Sequence, residues 1–278
     1  MKVAIYAIKA GSGFGNRRAK HIAQQMVAGC RKHDLEVIEC DRFDGTVSAD
    51  VAIAYGWIHE PIFTAYREAG AQFAYWDLGY WDRRPKSDGM DGFHRIGVND
   101  WDTARAMLRD CPADRFARLG IEVQERQKLG DTLLIAGMSE KAAGTHGFRF
   151  KQWERETEEH LVSMRTGFRI VVRPKPNKSA PAQPSIQEAL RSVRLLVTHH
   201  SNTAVDALVA GVPYWAKKGV GSLVCSPELN EHLVANPWMH YPDDIQRFQF
   251  LYDTAYAQWK PSEMATGAAW DYIRRCLS

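Results

Sequence analysis

Short apolar runs alternate along this chain with polar stretches of helical periodicity. Runs typical of buried parallel strands occur at residues 3–8, 35–39, 51–55, 71–76, 93–98, 132–136, 168–172, 195–197 and 214–216. Helical spacing is predicted for residues 19–30, 62–69, 102–130, 152–164, 186–193, 204–208 and 245–276. Because alternating strands and helices form parallel sheets with right-handed crossovers, the pattern predicts an α/β fold of two Rossmann-like domains facing a central cleft.

The pattern restarts after the charged stretch at residues 115–130. We therefore predict an N-terminal domain over residues 1–125 and a C-terminal domain over residues 126–278. The final helices are expected to be able to cross back to the first domain.

Composition narrows the class of protein. With 45% hydrophobic and 25% charged residues in 278, the chain is typical of a globular protein, and no apolar run approaches the ~20 residues of a membrane helix. The first apolar run alternates and ends at glycines, so we interpret it as a strand and not a signal peptide. The five scattered cysteines favour a reduced, cytoplasmic protein. A net charge of +3 does not by itself indicate nucleic-acid binding.

Residues 193–213 carry the strongest local signal. A buried strand ends in polar residues, and Ser201 or Asn202 is positioned to cap a helix that ends at Gly211. Free N–H groups at such a helix start, at the carboxyl edge of a sheet, favour an anion. Asp206, one turn into this helix, is suited to accept ribose hydroxyls, although it equally complements the helix dipole.

Two further strand ends offer polar groups at the same edge. Arg173 and Lys175 follow a strand and flank Pro174, which suits them to a diphosphate, although surface solvation also explains them. The loop that contains Ser139 and Lys141 follows another strand, and we expect it to meet the same phosphates.

Asp77 ends the predicted strand Phe73 to Trp76. A carboxylate there lies where ligands of α/β proteins bind, and its apolar neighbours would tune it as a base. Capping of the next turn, or pairing with Arg83 or Arg84, is an equally good interpretation.

Other motifs carry less information. Gly11-x-Gly13-x-Gly15 follows the first strand, but its spacing differs from that of dinucleotide-binding loops. Asp100-Trp101-Asp102 lies at a predicted helix start, which favours capping over metal binding. His199 and His200 have no Cys, Asp or Glu at metal-ligand spacing, so a structural or phosphate-binding role is favoured. No Gly-x-Ser-x-Gly elbow of a hydrolase is present.

The second half resembles that of GT-B glycosyltransferases, which have two Rossmann-like domains. Arg173-Pro174-Lys175-Pro176, His200-Ser201-Asn202-Thr203, Asp206-Ala207-Leu208 and Gly211-Val212-Pro213 are similar to stretches of capsule polysaccharide transferases, with Asp206 in place of the usual Glu. The segments at Met1 to Ile5, Asp77 and Leu134 to Ser139 are similar, in the same order, to those of phage DNA β-glucosyltransferases. That resemblance implies UDP-glucose as the donor, hydroxymethylated double-stranded DNA as the acceptor, and Asp77 as the catalytic base.

The resemblance implies transfer of a hexose to a hydroxyl by inverting displacement, without an obligatory metal. The donor-binding candidates are Ser139, Lys141, Arg173, Lys175, His200, Ser201, Asn202, Thr203 and Asp206. The acceptor-binding candidates in the first half are Gly13, Arg17, Arg18, Trp57, Tyr80, Arg83 and Arg84. A glycan acceptor explains the second-half motifs equally well. A sugar-nucleotide epimerase and a non-catalytic binding module remain alternatives.

Overall fold

The computed structural model describes residues 1–7, 14–56, 59–83, 90–100, 107–175 and 183–277. The chain divides into two compact units. Unit 1 comprises Met1–Leu119 and Tyr252–Ser278, and unit 2 comprises Gly120–Leu251. Each unit has its own sheet and its own apolar core.

Unit 1 is built on a mixed sheet. Its strands among the described residues are β1 (Lys2–Tyr6), β2 (Glu36–Cys40), β3 (Val51–Tyr55), β4 (Gln72–Leu78), β5 (His94–Val98) and β10 (Gln258–Trp259). They lie in the order β10-β5-β4-β3-β1-β2. The first four strands are parallel to one another, whereas β5 is antiparallel to both β4 and β10.

Helices cover this sheet. They are α1 (Phe14–Arg31), α2 (Glu60–Glu68), α3 (Asp114–Arg118), α10 (Pro261–Met264) and α11 (Ala268–Leu277). The apolar face of α2, with Ile62, Phe63 and Tyr66, packs against Phe73 and Tyr75 of β4. Helix α1 packs against α10 and α11, so the C-terminal segment forms part of the unit 1 core.

A buried guanidinium fixes the C-terminal segment to unit 1. Arg115 of α3 binds both carboxylate oxygens of Glu263, at 2.9 and 3.0 Å, and donates to the carbonyl oxygen of Gln258 at 2.8 Å. Its guanidinium also lies 4.0 Å from the ring centroid of Trp259. Because the Arg115 side chain is only 9% exposed, loss of this carboxylate partner would leave a nearly buried charge unpaired.

Unit 2 has a smaller, fully parallel sheet. Its strands among the described residues are β6 (Thr132–Ala136), β7 (Arg169–Arg173), β8 (Val193–Thr198) and β9 (Tyr214–Ala216), in the order β7-β6-β8-β9. The accompanying helices are α4 (Glu140–Thr145), α5 (Gln152–Ser163), α6 (Ile186–Ala189), α7 (Thr203–Val209), α8 (Glu231–Ala235) and α9 (Asp244–Tyr256). The last five residues of α9, from Tyr252 onward, belong to unit 1.

The parallel strands follow the same order in both units. Counted along the chain of each unit, these strands lie in the sheet in the order second, first, third and fourth. The order reverses between the first and third strands, at β1 and β3 in unit 1 and at β6 and β8 in unit 2. At such a reversal the following loops diverge to opposite faces and leave a crevice at the carboxyl edge, where α/β proteins bind ligands.

The structure corrects three expectations. The strand predicted at residues 93–98 exists, but it runs antiparallel to β4. The helix predicted over residues 102–130 is reduced, among the described residues, to α3. The tail predicted as helical at residues 245–276 is interrupted by β10, which pairs with β5. Among the helices that the structure describes, none combines the length and apolar character needed to cross a bilayer.

The contact between α1 and α10 generates a stability prediction. A Cβ on Gly29 of α1 would collide with the backbone carbonyl of Met264 at the end of α10, and backbone cannot rotate away as a side chain can. We expect Gly29→Ala to lower the free energy of unfolding by about 1–3 kcal/mol, the usual cost of overpacking. Urea denaturation followed by circular dichroism measures this change.

Gly144 provides the matched control. It is also helical, and a Cβ there would meet nothing within 4 Å. Gly144→Ala should therefore be neutral, or stabilise by about 0.5–1 kcal/mol through helix propensity. Equal stability of Gly29→Ala and the unchanged protein would contradict the packing of α1 on α10.

Candidate functional site

The carboxyl edge of the unit 2 sheet collects polar groups from the ends of β6 and β8. After β6, Ser139 caps α4, because its hydroxyl accepts the Ala142 N–H at 3.2 Å. The adjacent Met138 N–H donates to the buried Glu154 carboxylate at 2.6 Å. These bonds fix the first loop at the reversal of strand order.

The loop after β8 is held by its own hydroxyl groups. Thr198 accepts the Ser201 N–H at 3.3 Å, and Ser201 accepts the Thr203 N–H at 3.2 Å. Ser201 therefore supplies the bond at the start of α7, whereas the Asn202 side chain makes no capping bond there. Asp206 lies in the first turn of α7 and is partly exposed.

Three histidines meet between these two loops. His146 follows α4, while His199 and His200 follow β8. Nδ1 of His199 lies 3.0 Å from Nδ1 of His200, and the His146 ring centroid lies 4.7 Å from that of His199 and 4.4 Å from that of His200. The sequence interpretation placed His146 in the loop of Ser139 and Lys141, but it considered metal ligation only for His199 and His200, from which His146 is distant in sequence.

His199 is the buried member of this cluster. It is 2% exposed and packs edge-on against Phe148 and Trp153, with ring centroids 5.5 and 5.7 Å away. Burial, followed by the nearby charges of His146, Lys217 and Lys218, lowers the pKa of His199 to about 3. Its imidazole is therefore neutral at pH 7.

Lysine and arginine side chains surround the same edge. Lys217 and Lys218 follow β9, and their backbone N–H groups donate to the carbonyls of Thr198 and His199 at 3.0 and 2.7 Å. Lys141 and Lys175 are exposed. Arg173 ends β7, and its guanidinium donates to the Pro184 carbonyl at 2.7 Å, so it holds the end of the following loop.

A cavity of about 410 Å³ opens beside the histidines. It is lined by Phe148, Trp153, Glu156, Thr157, His160, Trp215, Lys217, Glu228 and Leu229. Two of these rings, Phe148 and Trp153, also pack on His199. The cavity joins flat aromatic walls to charged side chains, a combination that suits a ligand with a ring and polar groups.

Asp77 occupies the corresponding edge of unit 1. It lies within β4, one residue before its end, and is paired in register with Arg95 of β5. Its Oδ2 accepts a hydrogen bond from Arg95 at 3.2 Å, and its Oδ1 accepts the Leu78 N–H at 2.7 Å. The side chain remains 44% exposed. Among the described residues the partner of Asp77 is thus Arg95 and not Arg83, whereas Arg84, the other partner named by the sequence alternative, lies outside the described residues.

A second titratable group, His94, lies beside Asp77 in the next strand position of β5. His94 is fully buried, and its ring lies 5.9 Å from that of Tyr55 at the end of β3. Its ring nitrogens lie near the Gly92 backbone but make no well-formed hydrogen bond among the described residues. Burial, and then the positive charge of Arg18, lowers the pKa of His94 to about 4.

The predicted acceptor-binding residues differ in their exposure to solvent. Tyr80 and Arg18, both predicted to bind the acceptor, are only 2% and 4% exposed, and the Tyr80 N–H donates to the Gln258 side chain at 2.7 Å. Arg17 and Arg83 are exposed. Gly13, Trp57 and Arg84 lie outside the described residues.

No protein-family model matches the chain, and no curated protein matches it. Among solved structures, it is similar to a Thermosulfurimonas dismutans KpsC structure titled beta Kdo 2,7 transferase, with TM-score 0.51 and 10% identity over 96% of this chain and 98% of that chain. It is also similar to a second one, titled beta Kdo 2,4 transferase, with TM-score 0.54 and 11% identity over 100% and 98% of the two chains. At this identity the likeness shows the fold, and it confirms the prediction of an α/β protein with two Rossmann-like units.

The lowered pKa of His94 predicts acid sensitivity. Above pH 6.5 the histidine is neutral in both states; below it, the unfolded chain binds a proton that the folded protein takes up only near pH 4. Folding stability is therefore lost as the pH falls through this window. His94 should account for roughly 2 kcal/mol of the loss between pH 7 and pH 5.

We expect His94→Leu to reduce the loss of stability between pH 7 and pH 5 by that amount in urea titrations. Val98→Ala, a buried and non-titrating change in the same strand, controls for simple destabilisation, because it should lower stability equally at both pH values. An unchanged pH slope in His94→Leu would refute the assignment.

Proposed function

We propose that this chain is a glycosyltransferase that moves a sugar from a nucleotide-activated donor to a hydroxyl group. The observation that carries the proposal is the convergence of Ser139, Ser201 and flanking lysines where the strand order reverses in unit 2. The shared fold adds support, because both similar structures are Kdo transferases by their titles.

Unit 2 is proposed as the donor-binding unit. Lys175, Lys217 and Lys218 supply positive charge for a leaving diphosphate or phosphate. The Ser139 and Ser201 hydroxyls each accept an N–H group within their loops, and each has its own O–H to donate to a phosphate oxygen. Asp206 is proposed to accept the ribose hydroxyls. The donor is a nucleotide-sugar, and UDP-glucose is the first one to test.

Asp77 of unit 1 is proposed as the general base. Its two hydrogen bonds, to Arg95 and to the Leu78 N–H, hold the carboxylate in one orientation while almost half of its surface stays exposed. A fixed, accessible carboxylate is what removal of a proton from an acceptor hydroxyl requires. A base that acts opposite the leaving group gives inversion at the anomeric carbon.

A saccharide hydroxyl is the proposed acceptor. Burial removes Tyr80 and Arg18 from the set of residues expected to contact DNA, which weakens the case for a hydroxymethylated-DNA acceptor. The protein is incubated with a panel of labelled nucleotide-sugars, including UDP-glucose and an activated Kdo. Each donor is offered with oligosaccharides and, separately, with hydroxymethylated DNA as the acceptor. Transfer to DNA alone would overturn the assignment of a saccharide acceptor. If no donor is turned over with any acceptor, the proposal that the chain is a glycosyltransferase is overturned.

Donor binding should depend on Lys175. We expect Lys175→Ala to weaken nucleotide-sugar binding by roughly 1–3 kcal/mol, the contribution of a charge-assisted hydrogen bond. Lys128→Ala is the matched control, because Lys128 is an exposed lysine before β6, at the opposite edge of the same sheet. Calorimetry that gives the same affinity for both variants would exclude Lys175 from the donor site.

Transfer should depend on the charge of Asp77. Asp77→Asn keeps the shape and can still accept the Leu78 N–H, but it removes the basicity. The rate of transfer should fall by roughly 10²–10⁴-fold, with donor affinity nearly unchanged. Glu60→Gln, an exposed carboxylate in the first turn of α2, should retain activity.

Because Arg95 loses its ionic partner in Asp77→Asn, the melting temperature of the variant must be measured beside its activity. Near-normal turnover of a folded variant would reduce Asp77 to a structural role.

A further inference from the structure

The histidine cluster of unit 2 provides an arrangement that the proposed donor site does not use. One ligand atom from each of His146, His199 and His200 lies within 4.8 Å of the other two. Within this cluster, Nδ1 of His199 and Nδ1 of His200 are 3.0 Å apart. Three nitrogens around one zinc ion, each about 2.0–2.1 Å from the metal, are roughly 3.3 Å from each other. The separations between the histidine nitrogens are thus close to those around one bound ion.

Backbone hydrogen bonds hold two of the three ligands, His199 and His146, on neighbouring elements. The His199 carbonyl accepts the Lys218 N–H at 2.7 Å, so the residue is tied to the segment that follows β9. The His146 N–H donates to the Ala142 carbonyl at 3.1 Å, which ties that residue to α4. We therefore expect rotation of the imidazole rings, without a shift of the chain, to bring three nitrogens onto one ion.

The chemistry of the donor set selects the class of metal. Imidazole nitrogen suits Zn²⁺, Ni²⁺, Cu²⁺ and Co²⁺, whereas Mg²⁺ and Ca²⁺ require oxygen ligands. Among the described residues, no carboxylate belongs to the cluster. Three protein ligands also leave one position of a tetrahedral ion open. His146 and His200 are partly exposed, so this position is accessible from solvent.

Nearby positive charges oppose a bound cation and define what completes the site. Lys217 and Lys218 lie beside the cluster, because their backbone N–H groups donate to the carbonyls of Thr198 and His199. Both side chains are exposed, so solvent and salt weaken their repulsion of the ion. An anion in the open position would be attracted by the metal and by both lysines together.

We propose that His146, His199 and His200 form a binding site for a divalent transition metal such as Zn²⁺, with one coordination position open to solvent.

Cobalt titration of the metal-free, full-length protein tests the site. Co²⁺ should bind with a stoichiometry of one at this site and give the intense visible absorption of a tetrahedral ion, and Zn²⁺ should abolish that absorption by displacement. A tenfold excess of Mg²⁺ should leave the spectrum unchanged. These readouts require neither nucleotide nor sugar, so they remain decisive if the glycosyltransferase proposal fails.

The variants locate the bound ion. His146→Ala should lower the affinity for Co²⁺ by at least roughly 10–100-fold, since even outer-sphere changes at metal sites cost that much. His240→Ala is the matched control: His240 pairs with His232 on an exposed surface of the same unit, Nε2 to Nδ1 at 2.9 Å. This variant should keep the cobalt spectrum.

His200→Gln provides a second test, should His146→Ala disturb α4, and circular dichroism establishes that each variant is folded. Absence of a tetrahedral spectrum would overturn the proposal. So would a spectrum that survives both His146→Ala and His200→Gln, or one that is lost in His240→Ala.

Discussion

Burial of the central parallel strands on both faces is the constraint on which the rest of this structure depends. In unit 2, β6 is buried along its whole length, and β8 is buried except at Arg194. Such strands have no polar side to offer a ligand, so recognition is confined to their carboxyl ends and the loops that follow. The reversal of strand order between β6 and β8 separates those loops and makes room for a ligand. The hydroxyls, lysines and histidines of unit 2 lie together for this reason.

The sequence predicted the strands better than their directions. The continuous apolar runs of β3 and β6 identify them to the residue, because burial on both faces requires such runs. Apolar periodicity carries no information on strand direction, so the expected parallel direction was wrong for β5. The prediction of a helix in the charged stretch before β6 was also wrong. There the backbone N–H groups of Gln124 and Gln127 donate to the carbonyls of Val209 and Gly211 instead of to carbonyls within a helix. Those partners follow much later in the chain, and no local pattern reveals them.

Site residues show the same division between local and long-range information. The capping hydroxyls Ser139 and Ser201 follow from local turn chemistry and were predictable. The contact of His146 with His199, and the pairing of Asp77 with Arg95, arise from register and packing between segments distant in sequence. The basic and aromatic residues of the first half illustrate the limit. Composition does not distinguish aromatic residues that pack in the core from those that bind a ligand, whereas in the structure Tyr80 is buried and its N–H donates to Gln258 of the C-terminal segment.

The same C-terminal segment sets the surroundings of Asp77. Gln258 of β10 pairs in register with Arg95 of β5, which in turn pairs with Asp77 of β4. The fully buried Gln258 side chain also accepts the N–H groups of Tyr80 and Trp81, at 2.7 and 3.2 Å, in the turn after β4. Arg115 anchors β10 by its bond to the Gln258 carbonyl. Orientation of the Asp77 carboxylate thus depends on a tail that is remote in sequence. A segment that appears dispensable from its position in the chain is part of the architecture of the proposed catalytic edge.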